Sequence, residues 1–263
     1  MRAAINGIEM TYDVRGAETA PAVVLHHPLA TNMSFWNEAT AALEKTYRVI
    51  RFDARGHGAT SAPVGRYDFK TLAQDVVALM DHVGSKRAQF VGLSMGGMVA
   101  QFLGLDHGPR FSSIVIASST SKTADGMRHL WHDRVVVARE KGMVSQVEPA
   151  MQRWLAASSR TRADLVARCT TMIEATPLEG YAGWCGAIEF LDMTDKLAGI
   201  KLPTLVIVGE EDPATPVAAS QTIQRHVPGA EIAIVPGVSH MLAIENPATF
   251  HAALLPFLAK HRG

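Results

Sequence analysis

The feature that most limits how this 263-residue chain can fold is a serine between two glycines, in the segment Gly92-Leu93-Ser94-Met95-Gly96. An apolar segment typical of a β-strand, 88–91, leads into it, and a segment compatible with a helix begins at Met98. The glycines two residues before and after Ser94 let the strand and helix backbones approach more closely than a Cβ would allow. The pattern therefore predicts a strand, a sharp turn and a helix, with Ser94 exposed above a sheet in a strained backbone conformation.

Two other interpretations of this turn give the serine no catalytic role. A serine between glycines also occurs in ordinary loops, and a dinucleotide-binding loop likewise joins a strand to a helix. The dinucleotide motif G-x-G-x-x-G, however, requires glycine where Ser94 stands. At a helix N-terminus, the helix dipole and the N–H of Met95 favour negative charge on a nearby oxygen. The strand and helix around the turn thus favour a nucleophilic serine.

Two further polar residues come shortly after predicted strands, in the order that would complete a catalytic triad. Asp212 follows the apolar segment 205–209, and His240 follows the strand predicted for 231–235. Because the carboxyl ends of parallel strands lie at the same edge of a sheet, these side chains can meet Ser94 there. In such a triad the serine attacks an acyl carbon, the histidine accepts its proton and the acid orients the imidazole. The sequence therefore predicts Ser94, Asp212 and His240 as catalytic residues.

Neighbouring residues offer rivals for two of these roles. Glu210 and Glu211 directly precede Asp212, and all three carboxylates could simply be solvated in a loop. We favour Asp212 because Pro213 and the pair Thr215-Pro216 fix the turn around it. His57 is a second candidate base, but it stands in a turn rich in charge and glycine, which more often forms a structural hydrogen-bond network. The predicted triad is therefore unchanged.

The loop after an early predicted strand, His26-His27-Pro28-Leu29, lies where a donor to an oxyanion is expected. Proline has no N–H, so the donor from this loop should be the N–H of Leu29. The other donor should be the N–H of Met95, the residue directly after the serine. We therefore predict an oxyanion hole formed by Leu29 and Met95.

The distribution of apolar segments predicts an α/β fold in which a mostly parallel sheet is flanked by helices. Short apolar segments alternate with amphipathic ones up to Ala117 and again from about residue 196. Between them, 118–195 has no short apolar segment bounded by turns. It contains helical segments at roughly 126–141, 144–157, 162–175 and 180–190. We therefore expect a core of 1–117 and 196–263 with an inserted helical cap of 118–195.

The composition limits the partners and the compartment. The formal net charge is +0 and the sequence pI is ≈ 7.2, so no broad basic surface is available for nucleic acid or an anionic membrane. No segment is long and apolar enough for an export signal or a membrane span, so we expect the cytoplasm. Cys169 and Cys185 form no C-x-x-C motif, and His129 and His132 have no third ligand at metal-site spacing, so neither a metal nor a cofactor is expected. The sequence leaves both a monomer and a homo-oligomer open.

Several stretches match the pattern of one enzyme family. Besides the serine turn they are Phe52–Gly58, Trp131 with Arg134, Arg153-Trp154, Ala175–Pro177, Glu179–Gly183 and Asp212–Pro216. With these motifs the chain resembles the 3-oxoadipate enol-lactonases of the β-ketoadipate pathway, within the α/β-hydrolase superfamily. The resemblance covers nearly the whole chain from Arg51 onward. The motifs of the core are shared across the superfamily, whereas those of the cap and the Asp-Pro-Ala-Thr-Pro turn are more specific.

The resemblance implies a serine hydrolase of the α/β-hydrolase fold that opens a small enol-lactone in aromatic catabolism. Two departures leave other substrates open. The loop His26–Leu29 differs from the small, polar sequence expected of these lactonases, and Trp184 and Phe190 are bulkier than the usual cap residues. The alternative is a carboxylesterase or a cofactor-free perhydrolase of the haloperoxidase type on the same triad. A non-catalytic binding protein with this fold is the third hypothesis.

The resemblance also indicates which cap residues would contact the substrate, namely Trp131, Arg134, Trp154 and Trp184. An enol-lactone of this family carries a free carboxylate, which is costly to bury without a cation. Arg134 and Arg153 each stand near a tryptophan on a predicted cap helix, and a guanidinium can bind a carboxylate through two parallel hydrogen bonds. Alternatively, both arginines are solvated or paired with cap carboxylates such as Asp133 and Glu148.

Overall fold

Eight strands form the central sheet of the computed structural model, which describes residues 1–262. In chain order they are β1 Arg2–Ile5, β2 Ile8–Arg15, β3 Ala22–His26, β4 Arg48–Phe52, β5 Ala88–Leu93, β6 Phe111–Ala117, β7 Thr204–Gly209 and β8 Glu231–Val235. Their order across the sheet is β1-β2-β4-β3-β5-β6-β7-β8. β2 pairs antiparallel with both β1 and β4, and the other neighbouring pairs are parallel. The predicted, mostly parallel sheet is confirmed.

Helices cover both faces of this sheet. In chain order the α-helices of the described residues are α1 Asn37–Leu43, α2 Phe69–His82, α3 Met95–Asp106, α4 Arg128–Lys141, α5 Val147–Trp154, α6 Ala163–Glu174, α7 Leu178–Glu189, α8 Val217–His226, α9 Leu242–Glu245 and α10 Pro247–Lys260. Successive strand residues point to opposite faces, so a strand buried on both sides contributes to two cores. On β3, Val24 belongs to the core with α2 and α3, whereas Val23 and Leu25 belong to the core with α1 and α10. None of the helices in residues 1–262 combines the length and apolar character needed to cross a bilayer.

The helices α4 to α7 lie between β6 and β7, in the region predicted to be helical. Their bounds differ from the expected ones by a few residues. The helix expected at 144–157 is divided into a 3₁₀ turn, Met143–Gln146, and the shorter α5. The last of these helices begins at Leu178, directly after Pro177 at the N-cap, where a missing N–H removes no intrahelical hydrogen bond. The division into a core and a cap of 118–195 stays a prediction.

Candidate active site

Ser94 lies alone between the end of β5 and the start of α3. Its backbone has φ 56° and ψ −111°, a left-handed conformation that costs a non-glycine residue roughly 1–3 kcal/mol. A Cβ on Gly92 would lie 2.1 Å from the carbonyl oxygen of Gly96, and a Cβ on Gly96 would lie 2.4 Å from that of His26, so neither site accepts a side chain. The N–H of Ser94 donates to the carbonyl oxygen of Ala117 at 2.8 Å. Ser94 is thereby held at the carboxyl edge of the sheet, with part of its surface exposed.

His240 and Asp212 form a buried, hydrogen-bonded pair at the same edge. Nδ1 of His240 lies 2.9 Å from Oδ2 of Asp212. Oδ1 of Asp212 accepts the N–H groups of Ala214 and Thr215 at 2.9 Å each, and Oδ2 accepts the Thr215 hydroxyl at 2.8 Å. Burial alone would raise the pKa of Asp212, but the nearby His240 and the hydrogen bonds from Thr215 lower it below its usual value. An ionised Asp212 holds the imidazole hydrogen on Nδ1 and leaves Nε2 able to accept a proton.

Of the three successive acids 210–212, the structure brings Asp212 to the imidazole and leaves Glu210 and Glu211 exposed. The backbone of this loop is tied to the histidine loop. The N–H of Glu211 donates to the carbonyl oxygen of Val238 at 3.0 Å, and the Ser239 hydroxyl donates to that of Glu211 at 3.1 Å. The position of the carboxylate is therefore fixed by the backbone as well as by its own hydrogen bonds.

Two buried imidazoles hold the loop that contains the predicted donor Leu29. Nε2 of His27 accepts the N–H of Ala54 at 2.9 Å, and Nδ1 of His27 lies 2.8 Å from the carbonyl oxygen of Pro28. Nε2 of His57 accepts the N–H of the residue after Leu29 at 3.0 Å. Burial lowers the pKa of His27 to about 4, and burial likewise lowers the pKa of His57 well below its ordinary value. Both rings are therefore neutral, and His57 lies in a structural hydrogen-bond network.

The two predicted oxyanion donors remain available. Leu29 lines the cavity that contains Ser94, and Met95 is the first residue of α3. Within residues 1–262 the N–H groups of Leu29 and Met95 have no protein acceptor. Both N–H groups are therefore free to donate, and the oxyanion hole that they would form stays a prediction.

A cavity of about 180 Å³ opens above Ser94 and His240. Most of its wall is apolar, from Leu29, Met98, Trp131, Ala150, Trp154, Ile173 and Ile188. Polar groups on the side formed by α4 to α7, the predicted cap, come from Arg134, Gln146, Arg153 and Tyr181. Three of the four cap residues predicted to contact substrate, Trp131, Arg134 and Trp154, therefore lie on this wall.

Two guanidinium groups lie on this mostly apolar wall. That of Arg134 lies over the ring of Trp131, 4.3 Å from its centroid, which is a cation–π contact. Burial, followed by the positive charge of Arg134, lowers the pKa of Arg153 to about 10, so Arg153 is still protonated at neutral pH. Among the described residues, no carboxylate lies within 4.0 Å of either guanidinium, so the alternative pairing with Asp133 or Glu148 does not occur. The cavity thus holds two cations without an anionic partner.

The fourth predicted contact, Trp184, lies elsewhere, and this corrects the prediction. Its side chain is fully buried, and its Nε1 donates to the carbonyl oxygen of Arg55 at 2.7 Å. The ring packs edge-on against four others, those of His26, His57, Tyr67 and Phe69. A Cβ on Gly180 would lie 1.8 Å from the carbonyl oxygen of Gly56, so α7 approaches the core closely and turns Trp184 into it. Phe190, the other bulky cap residue, is 50% exposed and does not line the cavity.

Other reactive side chains do not form a rival site. Cys169 and Cys185 are free and buried, and burial raises the pKa of each thiol to about 12, which disfavours the reactive thiolate. Across residues 1–262, no three His, Cys, Asp or Glu side chains come together in a way that could hold a metal ion. The reactive groups that the fold gathers are those around Ser94.

The side-chain hydrogen bonds that two residues, Thr215 and His27, contribute to this site were not predicted. Thr215 donates to Asp212 and also lies 3.3 Å from Nδ1 of His240. His27 fixes the loop before Leu29 through both ring nitrogens. The signals were present in the sequence, as a threonine inside the Asp-Pro-Ala-Thr-Pro turn and as two adjacent histidines at the end of a strand.

Comparisons with known proteins agree with this fold. The α/β hydrolase fold family matches residues 21–247. A 3-oxoadipate enol-lactonase of Acinetobacter baylyi is 33% identical over 94% of this chain and 92% of its own. Among solved structures, the enol-lactonase from Burkholderia xenovorans LB400 superposes with a TM-score of 0.95 at 34% identity, covering 98% of this chain and 100% of that one. Est816, described as an N-acyl homoserine lactone degrading enzyme, superposes with a TM-score of 0.85 at 30% identity, covering 98% and 100%.

Proposed function

This chain belongs to the α/β-hydrolase family, and from that premise we propose that it hydrolyses a carboxylic ester or lactone through an acyl-enzyme on Ser94. The observation that carries the proposal is the hydrogen-bonded pair of His240 and Asp212 at the cavity onto which Ser94 opens. The relatives and structural neighbours named as enol-lactonases support this enzyme class.

The proposed reaction has two halves that use the same groups. Oγ of Ser94 attacks the acyl carbon while Nε2 of His240 takes the serine proton, and the N–H groups of Leu29 and Met95 bind the oxyanion. The tetrahedral intermediate then expels the ring or ester oxygen, which receives that proton from His240. In the second half, water attacks the acyl-enzyme, gives a proton to His240, and the proton returns to Oγ as the acid leaves. Asp212 remains ionised and stabilises the imidazolium in both halves.

The two arginines indicate the substrate class. In a wall that is mostly apolar, Arg134 and Arg153 have no carboxylate partner, and an anionic ligand would supply one. We infer a small lactone that carries a free carboxylate, as the enol-lactone of the relatives' name does, formed in the breakdown of aromatic compounds. The acyl carbon would face Ser94, and the carboxylate would point into the cap of 118–195.

The deciding experiment compares 3-oxoadipate enol-lactone with a neutral acyclic ester of similar size. Wild-type enzyme should show the higher kcat/KM with the lactone, and Ser94→Ala should hydrolyse neither. Equal or better turnover of the ester would instead favour a carboxylesterase, and peracid formation from the ester with hydrogen peroxide would favour a perhydrolase. If the folded wild-type protein turned over no activated ester or lactone, the catalytic proposal would be wrong.

A further inference from the structure

Glu245 is a buried carboxylate near the candidate site that belongs to neither the triad nor the oxyanion hole. It is 5% exposed and ends the short helix α9, which begins two residues after His240. Within residues 1–262 its side chain is in no ion pair. A buried carboxylate without a cation is costly unless hydrogen bonds satisfy its oxygens. The contacts of those two oxygens therefore indicate why a charged residue stands here.

The two carboxylate oxygens bind two different segments. Oε1 accepts the N–H of Ser239 at 2.9 Å, and Ser239 is the residue directly before the candidate base. Oε2 accepts the N–H of Ala156 at 2.8 Å, two residues after the end of α5. Burial raises the pKa of Glu245, against the opposing effects of these hydrogen bonds, of Ser159 and of the nearby His240. The carboxylate thus bridges the histidine loop and the chain that leaves a cap helix.

A second hydrogen bond joins the same two segments. The N–H of Met241 donates to the carbonyl oxygen of Trp154 at 3.0 Å. His240 is therefore held on both sides, through residues 239 and 241, to the end of α5. Arg153 and Trp154 at that helix end line the cavity. The backbone that positions the imidazole and the backbone that presents these two side chains to a substrate are one connected unit.

We propose that Glu245 is a positioning residue that sets His240 against the acyl group and couples its placement to the cap wall. The inference rests on the proposed function, because the position of His240 affects rate only if it takes the serine proton. A glutamine at position 245 could not accept both of these N–H groups. A carboxylate offers an acceptor to each N–H, whereas an amide offers one acceptor and turns its own N–H₂ toward the other donor. Glu245→Gln should therefore release one of the two segments.

The test measures kcat and KM of Glu245→Gln with the neutral ester. Because a misplacement of about 1 Å can slow an enzyme about 100-fold, we expect kcat to fall about 10- to 100-fold while KM stays within about twofold. Asp164→Asn is the matched control, since Asp164 is a surface carboxylate whose side chain is 80% exposed, and it should leave both constants unchanged. Thermal unfolding of each variant ensures that every assay is run on folded protein.

A folded Glu245→Gln variant with wild-type kcat would overturn the inference, and so would a rise in KM alone, which would mean that Glu245 only shapes the pocket. Glu245→Asp keeps the charge and both acceptors on a shorter side chain, so it decides the matter if the glutamine variant does not fold. For that variant a kcat reduced about tenfold at unchanged KM is expected, and wild-type kcat would overturn the inference. In every one of these outcomes the wild-type enzyme is active, whereas a folded wild type that turned over neither the ester nor the lactone would reject the proposed function instead.

Discussion

The two walls of the cavity are built in opposite ways. On the sheet side, Asp212 accepts four hydrogen bonds and His27 is bound through both ring nitrogens. On the cap side, Arg134 and Arg153 carry positive charges that no carboxylate balances. Groups that are fixed before the substrate arrives can stabilise the charge that develops in the transition state. Charged groups without a partner can instead bind a charge that the substrate already carries. We therefore expect substitutions on the sheet side to affect all substrates and those on the cap side to affect anionic ones.

The largest loss should follow from removing the nucleophile or the base. Ser94→Ala and His240→Ala should each lower kcat on the order of 10⁶-fold for the lactone and the neutral ester alike, and the double variant should be scarcely worse, because residues acting as one unit are not additive. Steady-state kinetics with both substrates, beside thermal unfolding to show an intact fold, gives the measurement. Retention of more than roughly a tenth of the activity in Ser94→Ala would contradict the acyl-enzyme mechanism.

Asp212→Asn should come next, with kcat reduced about 10⁴-fold on both substrates, because an amide would hold the imidazole in the wrong tautomer. Glu211→Gln is the matched control, since Glu211 is the exposed acid next in sequence, and it should lose little activity. If the two results were exchanged, the acid of the triad would be Glu211 and the hydrogen bond of Asp212 to His240 would be structural only.

The cap wall separates the two substrates. Arg134→Ala should weaken transition-state binding of the anionic lactone, as calculated from kcat/KM, by about 2–5 kcal/mol, because the buried carboxylate loses its partner. The same variant should leave kcat/KM for the neutral ester nearly unchanged. Arg153→Ala tests the second guanidinium in the same way. Arg139→Ala is a control on the same helix, because Arg139 binds Glu179 at the surface through two hydrogen bonds, 2.6 and 2.9 Å long. Equal losses on both substrates would mean that the arginines support the cap, and no loss from either would remove the anionic substrate from the proposal.

The smallest effect concerns stability on the sheet side. The pKa of His27 is lowered from 6.5 to about 4 by burial, so between these pH values the unfolded chain binds more protons than the folded one. The free energy of unfolding should therefore fall as the pH is lowered through this window, by about 1 kcal/mol per pH unit for this one residue. Urea unfolding from pH 7 to pH 4.5 measures the slope. His27→Asn should flatten it by about that amount, whereas the exposed His226→Asn should not, and an equal slope in both variants would show that His27 does not contribute.

Local rules made part of this site predictable. Ser94 needs glycine on both sides of its turn, and Asp212 and His240 follow parallel strands whose ends meet at one edge, so short stretches of sequence specify all three positions. Trp184 could not be placed in this way. Its direction depends on the close contact between Gly180 and Gly56, residues far apart in the chain that meet only when α7 packs against the turn after β4.

Glu245 was missed for a different reason. Its partners are the backbone N–H groups of Ser239 and Ala156. Every residue except proline has such a group, so the residue types at these two positions do not indicate the contact. The two arginines without a carboxylate partner could be predicted in part. Resemblance indicated Arg134 and Arg153, but the absence of a neighbouring carboxylate follows only from how α4 and α5 pack.

The left-handed backbone of Ser94 has a consequence for how the chain can change over generations. A glycine at that position would relieve backbone strain of roughly 1–3 kcal/mol in the folded protein. The greater conformational freedom of glycine in the unfolded chain would offset part of this gain in stability. Ser94→Gly should thus raise the melting temperature while ending turnover, whereas Ser94→Ala keeps the strain. Mutation toward glycine is opposed here only by the need for activity, so in a lineage freed from that need the serine should be among the first residues of the site to disappear.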